Sequence, residues 1–257
     1  MENKRKFAVL DCDGTIGRKS LMIEQFNTLI DLGIINKEVR KEFMPQFEAW
    51  QERKGSFREY VDAIVKSFES NLIGVSYDNF CMTALITAER CRHHVYNFSR
   101  TLIEELKRNG YFVIIISHSP KEVLNYFGEY YGIDKIYGMI YVKDDNGLMN
   151  GEIEYYNEII DKSILLEQAI QEFNLTTEGS IGMGDTASDV NFLQHVENPI
   201  CINPNSELHK IAREKNWIRV VERKDMVYFT KLSGLNPSSS GSQIITKALS
   251  NVDARII

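Results

Sequence analysis

The chain has 257 residues, 43% of them hydrophobic and 26% charged, with a formal net charge of −6 at pH 7. That balance suits a globular protein with one large core and a smaller module, and it argues against a basic nucleic-acid surface. No apolar run approaches the ~20 residues needed to span a bilayer. No secretory signal precedes the first strand-like run, and Cys12, Cys81, Cys91 and Cys201 are scattered without a CxxC pair. A cytoplasmic protein with neither nucleic-acid nor membrane partners is expected.

Phe7-Ala8-Val9-Leu10 predicts a buried strand, and it runs into Asp11-Cys12-Asp13-Gly14-Thr15. Two carboxylates one residue apart repel each other and resist desolvation, so something must compensate for them. A divalent cation would do so, with one acid as nucleophile and the other as acid/base. A strand ending in a plain Asp-Gly turn is the alternative. Cys12 should point away from both acids and pack.

Residues 17–95 read as helical throughout, over 20–32, 37–51, 56–68 and 76–91. Met22, Phe26, Leu29 and Ile30 form one apolar stripe; Phe43, Phe47 and Trp50 a second; Phe57, Tyr60, Val61, Ile64 and Phe68 a third. Such stripes belong to a core. The stretch therefore predicts a helical module inserted after the first strand and hanging over its end as a cap. Arg18 and Lys19 either meet a substrate anion or open a solvated helix. Cys91, His93 and His94 offer zinc-type ligands without a second cluster at a suitable spacing; a polar helix end near the module's hinge is the preferred reading.

Beyond the module, strand and helix patterns alternate. A helix over 100–108 precedes the continuous run Tyr111 to Ile116, which ends in Ser117 and His118. A second helix is predicted over 121–131. Asp144-Asp145-Asn146-Gly147 and Asn150-Gly151 are turn signals of a hairpin. Lys162 opens a helical pattern over 163–173, and the run Ser180 to Gly184 ends in Asp185. A short run over 199–202 and a helix over 206–215 follow. This alternation predicts a parallel α/β sheet. Ligands bind such sheets at the carboxyl ends of strands, where Asp11, Ser117 and Asp185 fall. Residues 233–242, rich in Ser and Gly, read as a linker, and 243–257 as a short helix or tail. The expected division is a core of 1–16 and 96–232, a cap of 17–95, and a linker and tail of 233–257.

In order, Asp11-Cys12-Asp13-Gly14-Thr15, Ile114-Ile115-Ile116-Ser117, Lys162 and Gly184-Asp185-Thr186-Ala187-Ser188-Asp189 resemble the four motifs of the haloacid dehalogenase superfamily. Lys143 is a rival for the third-motif lysine. The resemblance spans most of residues 7–230. The helical insert between the first two motifs resembles the phosphoserine-phosphatase-like branch. So does the stretch from Cys201-Ile202-Asn203-Pro204 to Trp217, with a last strand over 218–221.

The resemblance implies a Rossmann-like α/β core with a helical cap, and a Mg²⁺-dependent phosphatase acting on a small phosphorylated metabolite. Asp11 would attack phosphorus. Asp13 would protonate the leaving oxygen and then deprotonate the attacking water. Asp11, the Asp13 carbonyl and Asp185 would hold the metal, and Asp189 would bind a metal water or orient Lys162. Ser117, the amide of His118 and the Gly14–Thr15 region would hold phosphate oxygens, and Lys162 would offset charge. The His118 ring would contact the leaving group or serve structure alone. One lysine cannot balance four aspartates and a dianionic substrate, which calls for a divalent cation. Asp13 argues against a dehalogenase, whose halide leaving group needs no acid. A phosphotransferase or phosphomutase, and a non-catalytic phospho-ligand-binding protein, are the alternatives; the intact acid set disfavours the last. Phosphoserine phosphatases of the branch carry a cap Glu and a cap Arg where this chain has Ser20 and Ile64, with Glu24 and Lys66 nearby. Both departures argue against phosphoserine as the substrate.

Overall fold

The computed structural model describes residues 4–230 and 236–256. Nine strands form one sheet: β1 (Arg5–Leu10), β2 (Phe112–Pro120), β3 (Lys135–Lys143), β4 (Met149–Glu154), β5 (Leu175–Gly184), β6 (Asn198–Ile202), β7 (Ile218–Arg223), β8 (Met226–Phe229) and β9 (Ala254–Ile256). Their order is β4-β3-β2-β1-β5-β6-β7-β8-β9. The six central strands, β3 to β7 in that order, are parallel, and β4 and β8 are antiparallel to their inner neighbours. The α/β fold class read from the sequence is the one observed.

The apolar runs follow from this placement. Phe7 and Val9 pack on one face of the sheet, Ala8 and Leu10 on the other, and all four are fully buried. Strands covered on both faces favour continuous apolar residues over alternation. After β3 the chain returns to the far side of β1 as β5, so the order of connection reverses at β1. Leu10 is level with Ile115 on β2 and with Met183 on β5. Asp11, Ser117 and Asp185 consequently emerge side by side at the switch point.

Residues 18–94 form an excursion from this frame. It leaves and returns at one place: Gly17 bridges Val95, the Arg18 amide donates to the His94 carbonyl, and the Tyr96 amide donates to the Ile16 carbonyl. Helices Leu21–Asp31, Met44–Gln51, Phe57–Leu72 and Tyr77–Cys91 make up most of it. Ser20, Ser56 and Ser76 cap three of them, Ser56 in a reciprocal capping box with Glu59. The stretch expected as one helix over 37–51 is instead a 3-10 helix Lys37–Glu42 followed by Met44–Gln51. Pro45 has no N–H to donate and its ring clashes with the preceding turn, so it breaks the run. Phe26, Phe43 and Phe68 pack together, and Phe68 and Phe80 meet Tyr141 of β3 edge-on. The excursion therefore shares its core with the hairpin β3–β4. Of that hairpin's two turn signals, only Asp144 to Gly147 forms the turn; Asn150-Gly151 lies in β4, where a register shift marks a bulge.

Of the segment expected as a linker over 233–242 and a short helix or tail over 243–257, the short helix is the alternative observed, and its start lies within the stretch expected as linker. Residues 233–235 lie outside the described residues. Ser240–Ser250 is a helix, and Ala254–Ile256 adds β9 to the sheet. Ile245 and Ala248 are fully buried, and Lys247 Nζ lies 2.9 Å from Oε2 of the buried Glu105. Small residues at this helix start serve close packing. A Cβ on Gly241 would stand 2.4 Å from Asn198 Nδ2 and 2.6 Å from the Gly179 carbonyl oxygen.

Candidate active site

Asp11 directly follows β1, and its carboxylate meets the first residue of the helix Lys162–Glu172. Lys162, at that helix's first position, is 1% exposed, and its ammonium lies 2.6 Å from Asp11 Oδ1 and 2.7 Å from Asp189 Oδ1. Asp161 fixes the helix start. Its Oδ1 accepts from the Ser163 amide at 3.2 Å and from Asn191 Nδ2 at 3.1 Å. Lys143, the rival lysine, lies elsewhere, over the ring of Tyr77.

Asp185 and Asp189 follow β5. The Asp189 carboxylate is engaged through both oxygens: Oδ1 takes Lys162, and Oδ2 accepts from the amides of Asp185 at 3.0 Å and Thr186 at 3.1 Å. Of the two roles expected for Asp189, its contacts favour orienting Lys162. Asp185 Oδ1 accepts from the Thr15 hydroxyl at 3.1 Å. Its other oxygen lies so close to Gly14 that a Cβ there would be 2.2 Å away. Gly14 also adopts φ +80°, so glycine is required twice over.

Carboxylate oxygens of Asp11, Asp185 and Asp189 lie within 4.8 Å of one another. No other group of three or more His, Cys, Asp or Glu side chains converges this way among the described residues, Cys91, His93 and His94 included. Burial pushes the Asp11 carboxyl up to about 7, with Asp189 and Asp13 adding to the rise and Lys162 opposing it. Asp185 is pushed well above the usual carboxylate range by burial and by Asp11 and Asp189. The cluster thus holds more negative charge than Lys162 offsets. Its donors are all oxygens, the set a hard divalent cation takes. The residues present fit such an ion.

Asp13 turns the other way. Its Oδ1 accepts from the Leu21 amide at 3.0 Å, and its Oδ2 from the hydroxyls of Ser20 at 2.9 Å and Ser119 at 2.6 Å. The carboxylate therefore also caps the first helix of the excursion. Burial raises its pKa and these three donors oppose the rise. Ser119 is fully buried and accepts from the Met22 amide at 2.9 Å. Sequence reading missed it. Its only signal was position, two residues beyond Ser117.

The pairing of β2 with β3 shifts register between Ile116 and Pro120, which marks a bulge over 117–119. Bulges re-aim side chains at strand ends. Here Ser117 and Ser119 are buried, while His118 is exposed. Surrounding protein and the Lys162 charge push the His118 imidazole down to about 4. Cys12 is buried, as expected of a packing residue. Arg18 pairs with Glu222. Lys19 pairs with Glu24 at 3.0 Å.

A family model described as haloacid dehalogenase-like hydrolase matches residues 8–194. The chain is 26% identical over 223 residues to the "Inhibition of morphological differentiation protein" of Streptomyces azureus, covering 83% of this chain and 77% of that one. It is 22% identical over 224 residues to a histidinol-phosphatase of Neisseria meningitidis serogroup C (strain 8013), covering 83% and 97% respectively. Among solved structures, a substrate-bound phosphoserine phosphatase superposes with a TM-score of 0.56 at 19% identity, over 81% of this chain and 91% of that one. That likeness is one of fold.

Proposed function

The chain belongs to the haloacid dehalogenase-like hydrolases, and on that premise we propose that it is a Mg²⁺-dependent phosphatase of small phosphorylated metabolites, with Asp11 as nucleophile. The observation that carries this reading is the buried contact of Lys162 with Asp11 and Asp189 beside Asp185. A structural ion pair would not need a third acid at the same strand ends. The phosphatases among its relatives and structural neighbours agree with it.

Mg²⁺, held by Asp11, Asp185 and the Asp13 carbonyl, would neutralise charge on the phosphoryl oxygens and on the acids themselves. The other steps belong to the chain. Lys162 keeps the Asp11 carboxylate ionised and aimed. An Asp11 oxygen attacks phosphorus, and the bond from phosphorus to the ester oxygen breaks. Asp13 gives its proton to the departing oxygen. In the second half, Asp13 takes a proton from a water that attacks the aspartyl phosphate. The bond from phosphorus to Asp11 then breaks and phosphate leaves. The hydroxyls of Ser20 and Ser119 can donate or accept, so they hold Asp13 in both protonation states. Ser117 and the His118 amide hold phosphate oxygens in this scheme, as does the Gly14–Thr15 turn.

Phosphoserine is not the proposed substrate. Ser20 is engaged by Asp13, and Ile64 is fully buried in the core of the helical module. In this reading residues 17–95 act as a cap that closes over the leaving group and excludes water. No helix among the described residues is long and apolar enough to cross a membrane. The four free cysteines suit a reducing, cytoplasmic setting.

The test is phosphate release from a broad panel of phosphorylated metabolites, with Mg²⁺ present. At least one member should be hydrolysed, and Asp11→Asn should abolish the activity. Release from no member overturns the reading.

A further inference from the structure

The excursion 18–94 is joined to the sheet by two short crossing segments, and one ion pair touches both. We propose that Arg18 and Glu222 form a hinge clamp that fixes the helical module against the core and so positions Asp13. The structural half of this inference stands on contacts alone; its kinetic half rests on the phosphatase reading.

Arg18 directly follows the outgoing crossing. Its amide donates to the His94 carbonyl at 2.9 Å, its Nε donates to the Val95 carbonyl at 3.1 Å, and its guanidinium lies 5.0 Å over the Tyr96 ring. It thereby holds the returning crossing along its length. The same guanidinium pairs with Glu222 on β7, 204 residues away.

Glu222 is equally committed. Its carboxylate accepts from the amides of Asn97 at 3.0 Å and Phe98 at 2.9 Å. These open the helix Asn97–Arg108, which has no side-chain cap from its own N-cap residue Tyr96. A distant strand thus supplies the cap, and the helix start favours its negative charge.

The clamp is continuous with the acids on both sides. The Glu222 amide donates to Asn203 Oδ1 at 2.9 Å, and the Asn205 amide donates to the Asp185 carbonyl at 2.9 Å. In the other direction, Ser20 and Leu21 lie two and three residues beyond Arg18, and they hold Asp13. A displaced crossing would shift the Asp13 donors before it disturbed Asp11 or Lys162, which rest on β1 and on a core helix. The Arg18 side chain is 39% exposed and that of Glu222 only 2%. The pair can therefore open from the arginine side without burying an unpaired guanidinium.

The test compares the parent with Glu222→Gln and Arg18→Gln, by hydrogen exchange and by steady-state kinetics. Both variants should speed amide exchange at 14–20 and 92–99 at least about tenfold, and leave residues 112–116 of β2 unchanged. The kinetic probes are β-glycerophosphate, whose alkoxide must be protonated, and p-nitrophenyl phosphate, whose phenolate leaves without a proton. General acid catalysis contributes about 10²- to 10⁴-fold, so kcat/KM, which reports transfer to Asp11 and not the later water attack that both esters share, should fall at least about tenfold for the alkyl ester only. The double variant should be no worse than the worse single one. Exchange unchanged at both crossings, exchange faster everywhere including β2, or equal losses of kcat/KM on both esters overturns the clamp. If the parent hydrolyses other members of the panel but neither of these, an alkyl and an aryl phosphate among those members replace them; if it hydrolyses none, the kinetic half falls with the phosphatase reading, and exchange alone decides the structural half. Should Glu222→Gln fail to fold, Arg18→Gln carries the same readouts from the more exposed partner.

Discussion

Lys162 and Asp11, 151 residues apart in the chain, meet at 2.6 Å with both side chains buried. A lysine so enclosed is stable only while its partners stay charged, and its partners stay charged only while it is present. Burial lowers its pKa, but Asp11 and Asp189 more than restore it, so the ammonium holds its proton more tightly than a free lysine.

Replacing Lys162 with Met should therefore destabilise the protein by about 3–5 kcal/mol at pH 7, because it strands buried carboxylates. The loss should be smaller at pH 5, where the Asp11 carboxyl takes up a proton. Urea denaturation of parent and variant at the two pH values measures it. An equal loss at both would mean that packing around the lysine stem, and not charge, is at stake.

The metal-free protein should lose stability as pH rises from about 4 to about 7. Asp11 has its carboxyl raised to about 7, and Asp185 and Asp13 are also raised. Through that window the folded state binds more protons than the unfolded chain, so raising the pH favours unfolding. A cation in the cluster reverses the preference for protons. Mg²⁺ at about 100 times its Kd should add about 2.7 kcal/mol. The gain in Tm over an EDTA-treated sample should be larger at pH 7 than at pH 5.

Ser119→Ala should cost about 1–2 kcal/mol, since it removes a buried hydroxyl that serves both Asp13 and the Met22 amide. It should also lower kcat on an alkyl phosphate by about tenfold or more, with Ser119→Thr recovering part of the loss. Equilibrium denaturation alongside kcat separates the two effects.

Much of this arrangement is legible in the amino-acid order. Apolar runs that end in Asp11, Ser117 and Asp185 reflect strands covered on both faces that deliver polar residues to one edge. Lys162 is visible as a lysine at a helix start. What is not legible depends on contacts remote in sequence. Ser119 acquires its role from a bulge in β2 and from an amide 97 residues earlier. Arg18 and Glu222 look like ordinary charged residues until the sheet brings them together. Ser240-Gly241-Ser242 has linker composition, yet its small side chains are what let a helix press against Asn198 and Gly179.

The central claim is that the Asp11 carboxylate carries the phosphoryl group during turnover. Acid quenching of the protein with Mg²⁺ and a phosphate ester that it hydrolyses, followed by mass spectrometry of its peptides, tests this directly. The account predicts a phosphoryl adduct on Asp11 that is absent from Asp11→Asn. An adduct on another residue such as His118, or undiminished hydrolysis by Asp11→Asn, would contradict it.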